Sequence, residues 1–266
     1  PVSGLVAGAD KSRRIDIPVM VWLLKGNDGR RVLVDAGFYR PRFVQQWKVQ
    51  NFRSPADAVA AAGVKPEEVT DIVVSHAHWD HVGGVDLFPK ATVWIQRDEY
   101  TYYTGEAWHA RSTHGGIDAE HMAALLKINT EGRLRFVEGD DQEILPGIRC
   151  YTGGRHTHAS QYVGVRTTGG TAVITSDNMY LYENLEKKTP IAQTLDAASN
   201  LEAHARLTDK FRGLLEAMRC RDEVVGRHSY LGGRLGISGV AHQNGTTRFG
   251  TDPSASVLDV NCRLHD

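Results

Sequence analysis

Apolar runs that stop abruptly at a histidine or an aspartate recur along this chain, and they set its predicted elements. The stretches "PVMVWLL" (18–24) and "RVLVDAG" (31–37) are β-rich and flank "KGNDGR". There Asn27, Asp28 and Gly29 supply hairpin-turn chemistry, so a β-hairpin is expected near the start. Ser54, Pro55 and an alanine-rich run closing at Gly63 place cap, first-turn proline and terminating glycine in helical order. "TDIVVSH" reads as a buried strand that delivers His76 at its end, and "ATVWI" as the strand after it. "GIRCYTGGRH", "GTAVITSD" and "DEVVGRH" repeat the arrangement. Between the last two, the segment 195–218 spaces Leu201, Leu207, Phe211, Leu214 and Leu215 as the buried stripe of a helix. Helices and strands therefore mix throughout, as in a layered α/β domain.

Composition narrows the partners. The 266 residues carry 31 Lys+Arg against 32 Asp+Glu, a formal charge of -1, with no long basic run. A nucleic-acid or membrane surface is not expected, and a small neutral or weakly charged molecule is. No stretch approaches 18 uninterrupted apolar residues, so no membrane span is expected. Cytoplasmic residence and export after leader removal both stay open. Cys150, Cys220 and Cys262 form no CxxC pair and read as buried free thiols.

The candidate chemistry sits in "SHAHWDHVGG" (75–84), which packs His76, His78, Asp80 and His81 into six residues. So dense a set of neutral and anionic donors is costly to bury unless a cation compensates it, and a divalent metal is the economical explanation. Histidines two apart reach one ion from an extended or turn backbone, while Asp80 and His81 face a second position. Gly83 and Gly84 are expected to let the chain turn tightly and start a helix.

The string H-x-H-x-D-H resembles the signature of the metallo-β-lactamase superfamily. "GGRHTHASQ" is similar to that family's next ligand turn, with His156 as ligand and His158 as its neighbour. "VITSD" supplies Asp177 as the aspartate bridging both metals, and "VVGRHS" supplies His228 as the last ligand. The resemblance implies an αββα sandwich, a hydrolase domain over 1–231, and two Zn2+ or other divalent ions. It assigns His76, His78 and His156 to one ion and Asp80, His81 and His228 to the other. "DNMYLYENLEKKTPIA" further resembles the segment of N-acyl-homoserine lactonases, the quorum-quenching lactonases, in which a tyrosine follows three residues after the bridging aspartate; Tyr180 holds that place. The implied reaction is lactone opening by a metal-bridging hydroxide. Tyr180 hydrogen-bonds the carbonyl or the developing oxyanion, and Asp80 shuttles the proton. Glyoxalase II-like thioester, other ester or β-lactam hydrolysis and a non-catalytic metal-binding role are the alternatives.

Three further expectations complete the reading. Tyr102, Tyr103 and Trp108, in an aromatic-rich stretch, are candidates to line the pocket. His109, His114 and His121 are expected to face solvent or to make local hydrogen bonds. The tail 232–266 resembles the C-terminal region of glucose–methanol–choline oxidoreductases, with His242 in an H-x-x-G-T motif. Without a G-x-G-x-x-G flavin fingerprint it is expected to be a structural or oligomer-contacting extension, for instance in a homodimer, with His242 not catalytic.

Overall fold

Residues 1–217 are described by the computed structural model. His228, His242 and the tail 232–266 lie outside the described residues, as do the predicted strand "DEVVGRH", Cys220, Cys262 and the side chains of Phe211, Leu214 and Leu215. The described chain divides into two compact units. The larger comprises Val19–Thr152 and Thr157–Thr175; the smaller comprises Pro1–Pro18, Gly153–His156 and residues 176–217.

The larger unit is built on two sheets. In the first, β1 (Trp22–Lys25), β2 (Arg31–Val34), β3 (Asp71–Val73), β4 (Thr92–Gln96) and β5 (Leu134–Val137) lie side by side in that order. Only the β1–β2 pair is antiparallel. The expected hairpin is present, closed by Gly26 and Arg30 and turned at Gly29, whose φ of +88° suits glycine. Its first strand is shorter than the apolar run, because pairing begins only at Trp22. The second sheet is an antiparallel meander of β6 (Gln142–Leu145), β7 (Ile148–Thr152), β8 (Gln161–Thr167) and β9 (Gly170–Ile174).

Two apolar layers hold this unit together. Val32, Val34 and Val73 of the first sheet pack with Cys150, Val163, Val165 and Ile174 of the second. The opposite face of the first sheet, with Leu33, Ile72, Val93 and Ile95, packs under helices through Val59, Val82, Tyr100, Tyr103, Met122 and Leu125. Those helices are α2 (Pro55–Ala61), α3 (Trp79–Val82), α4 (Arg97–Tyr103) and α5 (Ala119–Thr130); α1 (Pro41–Gln46) precedes them. Each strand of β2–β4 buries both faces, which is why their sequences read as continuous apolar runs. In α2 the Ser54 hydroxyl accepts from the Asp57 N–H, Pro55 fills the first turn and Gly63 follows at φ +76°, as the sequence predicts. Cys150 is a buried free thiol, and burial pushes it up to about 12.

The smaller unit has a core of its own. Val2, Leu5 and Val6 pack against Tyr180, Leu181 and Ile191, and Val6 bridges Ile191. It carries α6 (Tyr182–Glu186) and α7 (Ala197–Ala217), the latter where the sequence predicts a helix over 195–218. Arg13 holds Glu183 bidentately at 3.0 and 2.9 Å.

Candidate metal centre

β3 ends at Val73, and its continuation brings Ser75, His76 and Ala77 into the larger unit's interior, where all three are buried. The turn is pinned from both sides. The Ser75 carbonyl accepts from Gln161 N–H at 2.8 Å, and the Gln161 amide donates to Val74. A one-turn helix, α3, then begins within the motif with His78 as its N-cap. The sequence expectation put the helix after Gly83 and Gly84; instead the glycines end it. They are needed for close approach: a Cβ at Gly83 would lie 2.3 Å from the Trp79 carbonyl oxygen, and one at Gly84 2.2 Å from that of Ala36.

Two imidazoles of the motif are oriented through one nitrogen. The Ser75 hydroxyl donates to Asp35 Oδ2 at 2.9 Å and accepts from His76 Nδ1–H at 2.9 Å, which turns His76 Nε2 outward. His78 meets that atom with its Nδ1 at 3.0 Å. Two ring nitrogens so close would fit as neighbouring ligands of one ion once neither carries a proton, Zn–N bonds running ~2.0–2.1 Å. His81 Nδ1–H donates to Asp35 Oδ2 at 2.8 Å, leaving Nε2 at 3.7 Å from Asp80 Oδ2. This carboxylate–histidine pairing selects the tautomer and raises ligand basicity.

Two further candidate donors belong to the smaller unit. His156 Nδ1–H donates to the Gln193 carbonyl at 2.6 Å, so that Nε2 is directed to Asp177 Oδ2, 3.4 Å away. Both residues are buried, and both follow a residue in the left-handed region, Arg155 at φ +55° and Ser176 at φ +47°. Asp35, at φ +61°, is a third. Such backbone costs about 1–3 kcal/mol per residue and clusters at functional sites. Tyr180 is buried with its ring 5.8 Å from that of His156, edge to face. Behind Asp177, Asn178 is held by α7: Asn200 Nδ2 and His204 Nε2 both donate to its carbonyl, at 3.0 and 2.7 Å.

The remaining sequence candidates separate. His158 stacks on Tyr102 at 3.9 Å, and its N–H donates to Tyr103 Oη. Trp108 stacks on His114 at 4.3 Å and lines a cavity of about 210 Å3 with Thr104, Ala119, Met122, Ala123 and Leu126. His109 is exposed, as expected. His121 is not: it is 1% exposed, and neither ring nitrogen has a hydrogen-bond partner among the described residues. Its place on the inward face of α5, with its ring 5.6 Å from that of Phe43, overrode the polar reading. Sequence reasoning also missed Asp35, Ser75, Glu99 and Gln193. Only Asp35 left a signal, a charged residue closing the apolar run "RVLV".

Two sheets in face-to-face layers, with a histidine-rich turn after a parallel strand, define a metallo-hydrolase class. Residues 14–214 match the family model described as metallo-beta-lactamase superfamily, and the chain belongs to that superfamily. It is a lactonase-like metal-dependent hydrolase. Among its relatives, an N-acyl homoserine lactonase of a Bacillus species is 28% identical over 194 residues, spanning 67% of this chain and 70% of the relative. Bacillus thuringiensis AiiA, solved as a mutant with N-decanoyl-L-homoserine at its active site, superposes with TM-score 0.65 at 23% identity, covering 80% and 84% of the two chains. AidC, a dizinc quorum-quenching lactonase solved with a product, superposes with TM-score 0.57 at 17% identity, covering 74% and 69%. These superpositions bear out the αββα sandwich that the motif implied. No helix among the described residues is long and apolar enough to cross a membrane.

Proposed function

We propose that this chain opens the ring of N-acyl-homoserine lactones at a dinuclear metal centre. In this reading His76, His78 and His156 hold one divalent ion, Asp80, His81 and His228 a second, and Asp177 is shared; His76, His78, His156 and Asp177 are a donor set suited to an ion. The carrying observation is orientation. His76, His81 and His156 each have one ring nitrogen engaged by a protein partner, the kind of pairing that orients metal-ligating imidazoles. The donors, imidazole and carboxylate, are those zinc takes.

Bound divalent ions supply Lewis acidity and make hydroxide available near neutral pH. The protein's own groups complete the reaction. The Tyr180 hydroxyl donates to the lactone carbonyl oxygen as negative charge grows there. The Asp80 carboxylate takes the proton from the attacking oxygen and passes it to the departing alkoxide as the ring C–O bond breaks. The products are one carboxylate and one alcohol within the same acyl-homoserine.

A pH-indicator assay of the zinc-loaded chain on short- and long-chain acyl-homoserine lactones tests this, with His76→Ala beside it. Acid release that disappears in H76A is expected, and Tyr180→Phe is expected to lower kcat about 10²–10³-fold with metal content unchanged. Zinc-loaded protein that releases no more acid than H76A would sink the homoserine-lactone assignment and favour a thioester, another ester or a β-lactam.

A further inference from the structure

Glu99 is a buried carboxylate to which the proposed chemistry assigns no task. It stands in the first turn of α4, is 0% exposed and makes no ion pair among the described residues. Burial pushes its carboxyl up from the ordinary value, against hydrogen bonds from Thr157, Ala159 and Ala77 that pull it down. A buried acid without a cation is costly, so its retention calls for a compensating use.

The three donors reveal one. Ala77 N–H, between the ligand histidines 76 and 78, donates to Glu99 Oε1 at 2.9 Å. The hydroxyl of Thr157, the residue after His156, donates to the same oxygen at 2.6 Å. Ala159 N–H donates to Oε2, also at 2.6 Å. One carboxylate therefore ties together two loops that are far apart in sequence, and each of those loops is covalently continuous with proposed ligands of the same ion. Anchoring α4 alone would require none of these partners, since the helix N-terminus could be capped by its own preceding residues.

We propose that Glu99 is a positioning residue for the metal centre: it sets the separation of the His76–His78 loop and the loop after His156. The assignment rests on the dinuclear reading above, and its test contains no lactone, so loss of one does not imply loss of the other. Glu99→Gln keeps the shape but presents an N–H₂ where an acceptor is required. Thr157→Val removes a single hydroxyl donor at nearly constant volume, and Thr157→Ser restores it.

Zinc affinity is read by competition with a chromophoric chelator, and ligand geometry by the visible spectrum of the cobalt-loaded protein. E99Q is expected to bind zinc about 10–100-fold more weakly, with a shifted cobalt spectrum. T157V is expected to weaken binding several-fold, on the order of one hydrogen bond to a charged group, and T157S to match the parent. If E99Q does not fold, the T157V and T157S pair decides. Zinc affinity and cobalt spectra unchanged in E99Q and T157V overturn the proposal even if thermal midpoints fall, because that pattern describes a packing anchor. A parent chain that binds no zinc overturns the metal centre and Glu99's role together. Zinc binding without lactone opening leaves Glu99's role intact and removes only the substrate.

Discussion

Asp35 shows how much of this site rests on residues that touch no substrate. Its carboxylate accepts from His81 Nδ1, the Ser75 hydroxyl and Ser75 N–H at 2.8, 2.9 and 2.8 Å, and its backbone is held at φ +61°. Asp35→Asn keeps the volume but can offer only one acceptor oxygen to these donors. Zinc affinity is expected to fall about 10–100-fold, measured by chelator competition, while the far-UV dichroism of the folded chain is retained. Arg155 predicts the opposite sign. An arginine at φ +55° carries a left-handed penalty of about 1–2 kcal/mol, of which glycine's greater unfolded freedom takes back about half. Arg155→Gly is therefore expected to raise stability by roughly 0.5–1 kcal/mol in urea unfolding, with zinc affinity unchanged. The H-x-H-x-D-H string was legible residue by residue because all its donors are adjacent. Asp35, Glu99 and Gln193 were not, because their partners lie tens of residues away and the chain records no spacing between them.

Helix α5 carries a prediction of its own. His121 is buried against Phe43 with both nitrogens without hydrogen-bond partners among the described residues, and its pKa is lowered to about 4, first by burial. Asp118 and Asp86 raise it and Arg40 and Arg42 lower it, so the charges around the helix partly cancel. The folded state thus binds a proton less readily than the unfolded chain does. This destabilisation is absent above the ordinary value of 6.5 and grows as the pH falls from there towards 4. In the metal-free protein, His121→Leu is expected to flatten the stability profile across that window, followed by thermal midpoint against pH. It is also expected to gain about 1–3 kcal/mol at neutral pH by removing two unsatisfied buried nitrogens. A profile as steep as the parent's would assign the acid sensitivity elsewhere. At this scale the sequence was an uneven guide. Ser54, Pro55 and Gly63 announce α2 completely, whereas α3 starts one turn earlier than its glycines suggest, because a close approach and a helix start call for the same residue.

For the molecule as a whole, Glu183 and metal binding are expected to set the dependence on conditions. Glu183 is lowered to about 2 by hydrogen bonds from Arg13 and then Lys187. A carboxylate held below its unfolded value contributes stability that is present above about 4.5 and lost as the pH falls towards 2. Because Arg13 is half exposed, roughly 1 kcal/mol is expected, and Glu183→Gln should remove it and narrow the acid limb of the smaller unit's unfolding. Metal binding is expected to act on the entire chain. Zinc at about a hundred times its dissociation constant stabilises the folded state by ~2.7 kcal/mol, so chelation should lower the thermal midpoint measurably and re-addition should restore it.

By itself the sequence determined the strands that lead to His76, His156 and Asp177, the hairpin, the capped helix and the candidate metal-binding string. All of these are written in local order: a period of burial, a cap beside its turn, four donors within six residues. Only the tertiary structure decided which ring nitrogens of His76, His81 and His156 the protein engages, that Ser75, Asp35 and Gln193 engage them, that His121 is buried, and that Glu99 lies beneath two separate loops. Those facts depend on atoms brought together by sheet pairing and core packing. Contact between residues remote in sequence has no signature in composition or spacing, because it comes into being only when the chain closes on itself.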